Sequence, residues 1–135
     1  MCIRDSNVLS GNAQSGVAMF DAGTSNNRVE GNFIGVNPAG TATRPNGLNG
    51  VALQDGPTQN QIGGTRAGVA CNGLCNVISG NSGSGIYISG AGADRNAIEG
   101  NFVGVTPSGT AALGNAYHGV EINGGAPASA SPKVG

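Results

Sequence analysis

The sequence has no tryptophan, three phenylalanines, two tyrosines and one histidine, and only 10% of its 135 residues are charged, with a net charge of −1. So little net charge gives no electrostatic basis for binding nucleic acid or an anionic membrane surface. No apolar run approaches the length needed to span a bilayer. High glycine with so few charged residues argues against a helical bundle, which wants Leu, Ala, Glu and Lys. The glycines follow no regular Gly-X-Y period, which excludes collagen. Val and Ile recur at fixed places between them, which argues against disorder. No glycine-rich loop opens a helix, so the Gly-x-Gly strings are not phosphate cradles. The calcium-binding nonapeptide of repeats-in-toxin proteins is missing as well.

What the chain does have is 26 glycines and a long internal repeat, in which positions 7–53 return, ungapped, at positions 76–122. Asn7-Val8-Leu9-Ser10-Gly11-Asn12 returns as Asn76-Val77-Ile78-Ser79-Gly80-Asn81. Asn27 to Val36 returns as Asn96 to Val105, and Pro38-Ala39-Gly40-Thr41-Ala42 returns as Pro107-Ser108-Gly109-Thr110-Ala111. A period this long marks a stacked array whose units bury their apolar faces against neighbours. Residues common to both copies are then assigned to stacking, and chemistry is sought where the copies differ.

Two shorter units lie inside the repeat. Asn-x-Φ-x-Gly-Asn/Thr, with Φ an aliphatic residue, starts at Asn7, Asn27, Asn60, Asn76 and Asn96. Gly-Val/Ile-x-Φ starts at Gly16, Gly50, Gly85 and Gly119. In Gly85-Ile86-Tyr87-Ile88 the two isoleucines share one face and Tyr87 takes the other. Period-two spacing of β-branched residues bounded by Gly and Asn predicts strands. Very short strands punctuated by Gly-Asn predict an all-β fold, a parallel β-helix (solenoid) of a few coils. Asn12, Asn32, Asn81 and Asn101 fall where the chain must turn. Asparagine tolerates left-handed backbone there, and its amide can bond an asparagine stacked above it.

The Asn-x-Φ units are unevenly spaced. The step from Asn7 to Asn27 suits one coil, as does the equal step from Asn76 to Asn96. The longer step from Asn27 to Asn60 suits a coil carrying an excursion. Across the shortest step, Asn60 and Asn76 read alternatively as successive strands of one coil. Two excursions, residues 37–48 and 106–117, leave equivalent corners and should lie side by side on one flank. Residues 1–6 resemble a translated sequencing adapter, so the repeats are assigned to residues 7–126 and an irregular tail to residues 127–135. Within that tail, Lys133-Val134-Gly135 has the form of another strand's beginning. The pattern stops midway, so a fragment of a longer array is expected, with further coils as neighbours.

The strings Ile62-Gly63-Gly64-Thr65, Asn76-Val77-Ile78-Ser79-Gly80-Asn81, Gly85-Ile86-Tyr87-Ile88, Asn96 to Val105 and Gly119-Val120-Glu121-Ile122 resemble the right-handed parallel β-helix repeats of large secreted bacterial proteins, which have a pectate-lyase-like fold. The resemblance implies export to the cell surface or medium, with a polysaccharide or a cell surface as partner. It does not imply one activity, because the scaffold serves lyases, hydrolases, epimerases and non-catalytic surface proteins. Export and the tight turn allowed by Gly73 favour a disulfide between Cys71 and Cys75 over two free thiols. That pair lacks further ligands for a metal, and His118, the lone histidine, makes no zinc site without help, so neither metal nor cofactor is expected. Glu30 and Glu99 occupy the same repeat position and read as solvated face residues. Asp21, Asp55 and Asp94 read as turn caps. No catalytic residue stands out. Tyr87, Tyr117, His118 and Glu121 are the candidates for glycan contact. The expected function is a non-catalytic structural or adhesive segment. The alternatives are part of a polysaccharide lyase or hydrolase whose catalytic coils lie elsewhere, and a glycan-binding module.

Overall fold

A computed structural model describes residues 2–3, 7–66, 68–123 and 133–134; the loop expected over residues 124–132 lies outside the described residues. The described residues form strands, bridges, turns and bends, with no helix. The first rung holds β1 (Cys2–Ile3), β2 (Val8–Leu9) and β3 (Val17–Phe20), and the second holds β4 (Arg28–Val29), β5 (Phe33–Ile34) and β6 (Val51–Gln54). The third holds β7 (Gln61–Gly63), β8 (Val77–Ile78) and β9 (Ile86–Ser89). The fourth holds β10 (Ala97–Glu99), β11 (Phe102–Val103) and β12 (Val120–Asn123), and β13 (Lys133–Val134) follows.

Every strand pairs in parallel with its equivalent one rung away. Sheet A runs β1-β4-β7-β10-β13, sheet B runs β2-β5-β8-β11, and sheet C runs β3-β6-β9-β12. The chain is therefore a parallel β-solenoid, with about three full turns between β3 and β12. Its outermost strands include Cys2–Ile3, from the segment likened to an adapter, and Lys133–Val134, from the tail.

Val17 faces Val51, Val51 faces Ile86 and Ile86 faces Val120, one turn at each step. A turn is 34 or 35 residues long, the separation that also links Asn12 to Asn46 and Asn46 to Asn81. The long repeat that carries Asn7 onto Asn76 thus spans two turns. The step from Asn7 to Asn27 is not one turn. Asn7 precedes β2 and Asn27 precedes β4, so their spacing only carries the chain from sheet B to sheet A. Asn60 and Asn76 precede β7 and β8 of one rung, which is the alternative reading of that shortest step.

Alternation decides which side chains face inward. The interior columns are Val29-Ile62-Ile98, Leu9-Ile34-Ile78-Val103, Val17-Val51-Ile86-Val120 and Met19-Leu53-Ile88. Most of these side chains are fully enclosed, each contributing roughly 1.5–3 kcal/mol by leaving water.

The two-turn period has a steric origin. Between sheets A and B, rungs two and four turn tightly through Glu30-Gly31-Asn32 and Glu99-Gly100-Asn101, whereas rung three detours through residues 64–75. Between sheets B and C the pattern inverts. Rungs one and three turn tightly through Ser10-Gly11-Asn12 and Ser79-Gly80-Asn81, and rungs two and four detour through residues 36–45 and 105–114. Detours at one corner are thus two strand spacings apart, about 10 Å. Even so they touch: a Cβ added to Gly40 would lie 2.4 Å from Pro107 Cγ.

Both detours at the second corner are small hairpins, closed by antiparallel bridges Val36–Thr43 and Val105–Ala112. They fold back over the outer face of sheet B. A Cβ on Gly40 would lie 3.3 Å from the Phe33 ring, and one on Gly109 would lie 3.0 Å from the Phe102 ring. Val77 stands between Phe33 and Phe102 in the outward column and is fully buried. Sheet B therefore has a second apolar layer outside it.

Candidate functional site

Three asparagine ladders brace the corners. Asn12 Nδ2 donates to Asn46 Oδ1 at 2.9 Å, Asn46 donates to Asn81 at 2.8 Å, and Asn81 donates to Asn115 at 2.9 Å. Asn7, Asn32, Asn76 and Asn101 form a second chain at 3.0, 3.3 and 2.8 Å. Asn27, Asn60 and Asn96 form a third at 3.0 Å per step. Several ladder amides also reach strand carbonyls, as from Asn76 to Val29 at 2.7 Å and from Asn46 to Leu9 at 2.9 Å. The four asparagines singled out from Gly-Asn thus belong to two ladders, Asn12 with Asn81 and Asn32 with Asn101, and each pair has another asparagine between its members. Asn46 and Asn115 follow the hairpins; Pro45 precedes Asn46, and Gly114 precedes Asn115. Their signal in the sequence is the one-turn spacing that links Asn12, Asn46, Asn81 and Asn115.

Tyr87, Tyr117, His118 and Glu121 line one cleft of about 430 Å³, together with Leu48, Asn49 and the backbone around Gly83. Tyr87 on β9 and Glu121 on β12 are register partners on the outer face of sheet C. Tyr117 and His118 close the end of the fourth-rung detour, where the Tyr117 N–H bonds the Gly83 carbonyl at 3.2 Å and the His118 carbonyl accepts the Gly85 N–H at 2.8 Å. The Tyr117 side chain is 75% exposed. Ser84 Oγ donates to Glu121 Oε2 at 2.5 Å and orients that carboxylate. In the first copy the equivalent positions hold Ala18, Leu48, Asn49 and Ala52. Two phenolic rings, an imidazole and an oriented carboxylate therefore share one cleft, at positions where the copies diverge.

The other acids lie elsewhere. Glu30 is not on a solvated face: it is fully buried, with Oε1 3.6 Å from Arg28 Nη1. The detour in the next rung passes over this turn, where Leu74 accepts the Gly31 N–H at 3.3 Å. Gly63 stands between Glu30 and Glu99 in the column, so the two carboxylates form no ladder. Ser10 and Ser79 belong to the other corner, where they donate to the Val36 and Val105 carbonyls at 2.7 and 2.8 Å. Asp21 and Asp55 adopt left-handed backbone at φ 70° and 62°, as turn residues do.

Cys71 and Cys75 are joined as a disulfide, with their Cα atoms 5.3 Å apart. The Cys71 N–H bonds the Pro107 carbonyl at 2.7 Å, and the Arg66 guanidinium stands 5.0 Å over the Phe102 ring. The disulfide-bearing detour is thereby fastened to the fourth-rung hairpin. A smaller, amide-rich cleft of about 200 Å³ is lined by Asn26, Asn27, Arg28, Gln59 and Gln61, and no sequence motif pointed to it. Among the described residues, no three His, Cys, Asp or Glu side chains gather closely enough to hold a metal ion. No helix among them is long and apolar enough to cross a membrane.

Fold and site define the class of protein, a parallel β-solenoid with a polar-aromatic cleft on one sheet. Comparison with family models, curated proteins and solved structures gives no match.

Proposed function

We propose that this chain is a structural and adhesive segment of a secreted or cell-surface bacterial protein, built on right-handed β-helix repeats. The observation that carries this reading is how the residues shared by the two copies are used. The ladder asparagines, the turn glycines, Ser10 and Ser79, and the phenylalanines under the hairpins all make contacts between rungs or between sheet and detour. Each added rung supplies a ladder of backbone bonds and one layer of core, so length and stiffness come from repetition alone. The disulfide suits an oxidising compartment. The described lining of the larger cleft contains one carboxylate, Glu121, whereas most glycoside hydrolysis uses two. Incubation with pectin, alginate and related polymers should release no new reducing ends or unsaturated products. Cleavage that disappears in Glu121→Gln would overturn the reading.

The cleft favours a second reading, a glycan-binding module. Tyr87 and Tyr117 offer flat apolar faces suited to a sugar ring, and His118 and Glu121 offer hydrogen bonds to its hydroxyls. Binding on a glycan array, lost in Tyr87→Ala with no change in melting temperature, would establish that role.

A further inference from the structure

The dipeptide Asn-Gly occurs at Asn46-Gly47, Asn49-Gly50 and Asn72-Gly73 within the described residues. We propose that Asn72 is a site of spontaneous covalent modification, deamidation through a cyclic imide, and that the fold protects the other two. In this reaction the backbone nitrogen of the following residue gives up its proton and attacks the side-chain Cγ. A new C–N bond closes a five-membered ring, the bond from Cγ to Nδ2 breaks, and ammonia leaves with the proton. Water then opens the ring at either carbonyl, yielding aspartate or isoaspartate. No oxidant or cofactor enters. Glycine favours ring closure because it has no Cβ beside the attacking nitrogen.

The three sites differ in whether that nitrogen is engaged. The Gly47 N–H is bonded to the Asn12 carbonyl at 2.8 Å, and the Gly50 N–H to the Ser84 carbonyl at 3.0 Å. Asn46 is also fully buried in its ladder, giving its Nδ2 to Asn81 and to the Leu9 carbonyl. The Asn49 amide oxygen accepts the Ser84 N–H at 2.9 Å. At both sites the attacking nitrogen is held by a neighbouring rung, and reaction requires local opening. Asn72 and Gly73, by contrast, are both exposed, at the outer end of the detour closed by Cys71 and Cys75. The Gly73 N–H makes no backbone hydrogen bond among the described residues. Reaction there places a new negative charge on the detour that also carries Arg66.

The test is peptide mapping of the full chain during incubation in mildly alkaline buffer, with isoaspartate-specific methyltransferase labelling. Asn72 should gain about 1 Da as amide becomes acid, more than about tenfold faster than Asn46 or Asn49. In guanidinium, with the disulfide reduced, the three rates should converge. Asn72→Gln should remove the early-labelled species. Equal native rates at the three sites, or a preference for Asn72 that persists in denaturant, would overturn the proposal.

Discussion

At the scale of single residues, two glycines with the same backbone demand should respond differently to substitution. Gly11 and Gly35 both have positive φ, 71° and 88°. A Cβ on Gly11 meets nothing within 4 Å, whereas one on Gly35 would sit 2.2 Å from the Ser79 carbonyl oxygen of the next rung. Gly11→Ala should therefore cost about 1 kcal/mol, the strain of a left-handed L-residue. Gly35→Ala should cost several-fold more, because two rungs have to separate. Urea denaturation of the pair reads the difference. Asn81→Ala should cost about 2–3 kcal/mol, since it removes the ladder acceptor of the Asn46 Nδ2 and the ladder donor to the Asn115 Oδ1. Gly-Asn strings made Asn12, Asn32, Asn81 and Asn101 legible from sequence. Asn46 was not, because Pro45 and a hairpin rather than a Gly-Asn turn precede it; Asn115 follows Gly114 but ends a hairpin, and only the turn length places both in this column.

At the scale of elements, the hairpins are held down by the rings beneath them. Phe33→Ala removes the floor under Gly40 and should cost about 3 kcal/mol, with faster amide exchange across residues 37–43 as the more specific readout. The disulfide closes a short loop, so Cys71→Ser with Cys75→Ser should cost no more than about 2 kcal/mol. Calorimetry of the double variant checks this. Longer strands such as Ile86–Ser89 could be read directly from alternation. The shortest strands could not. Arg28-Val29 and Phe33-Ile34 are separated only by Glu30-Gly31-Asn32 and read as one segment, although they belong to different sheets. The burial of Glu30 was hidden for a related reason: what covers it is a detour from the following rung, which no local pattern announces.

At the scale of the whole molecule, the length of one turn sets the geometry. Inserting one further copy of the two-turn repeat in register should lengthen the particle by about 10 Å at unchanged cross-section, measurable by small-angle scattering. A parallel solenoid was legible from the repeat itself. The length of one turn was not, because the Asn-x-Φ unit marks strand starts on two sheets and its spacing mixes turns with fractions of turns. The cleft was legible in part. Its four candidate residues are those that replace Ala18, Leu48, Asn49 and Ala52 between copies, while their convergence on one sheet edge depends on stacking three rungs.

The alternation of detours between two corners also governs how such a gene can grow. Duplicating a single turn would bring two hairpins, or two disulfide-closed detours, to the same corner on adjacent rungs. Loops already in contact at twice that distance leave no room for this arrangement. Recombination can therefore add or delete turns only in pairs, and the inheritable unit of this architecture is the couplet.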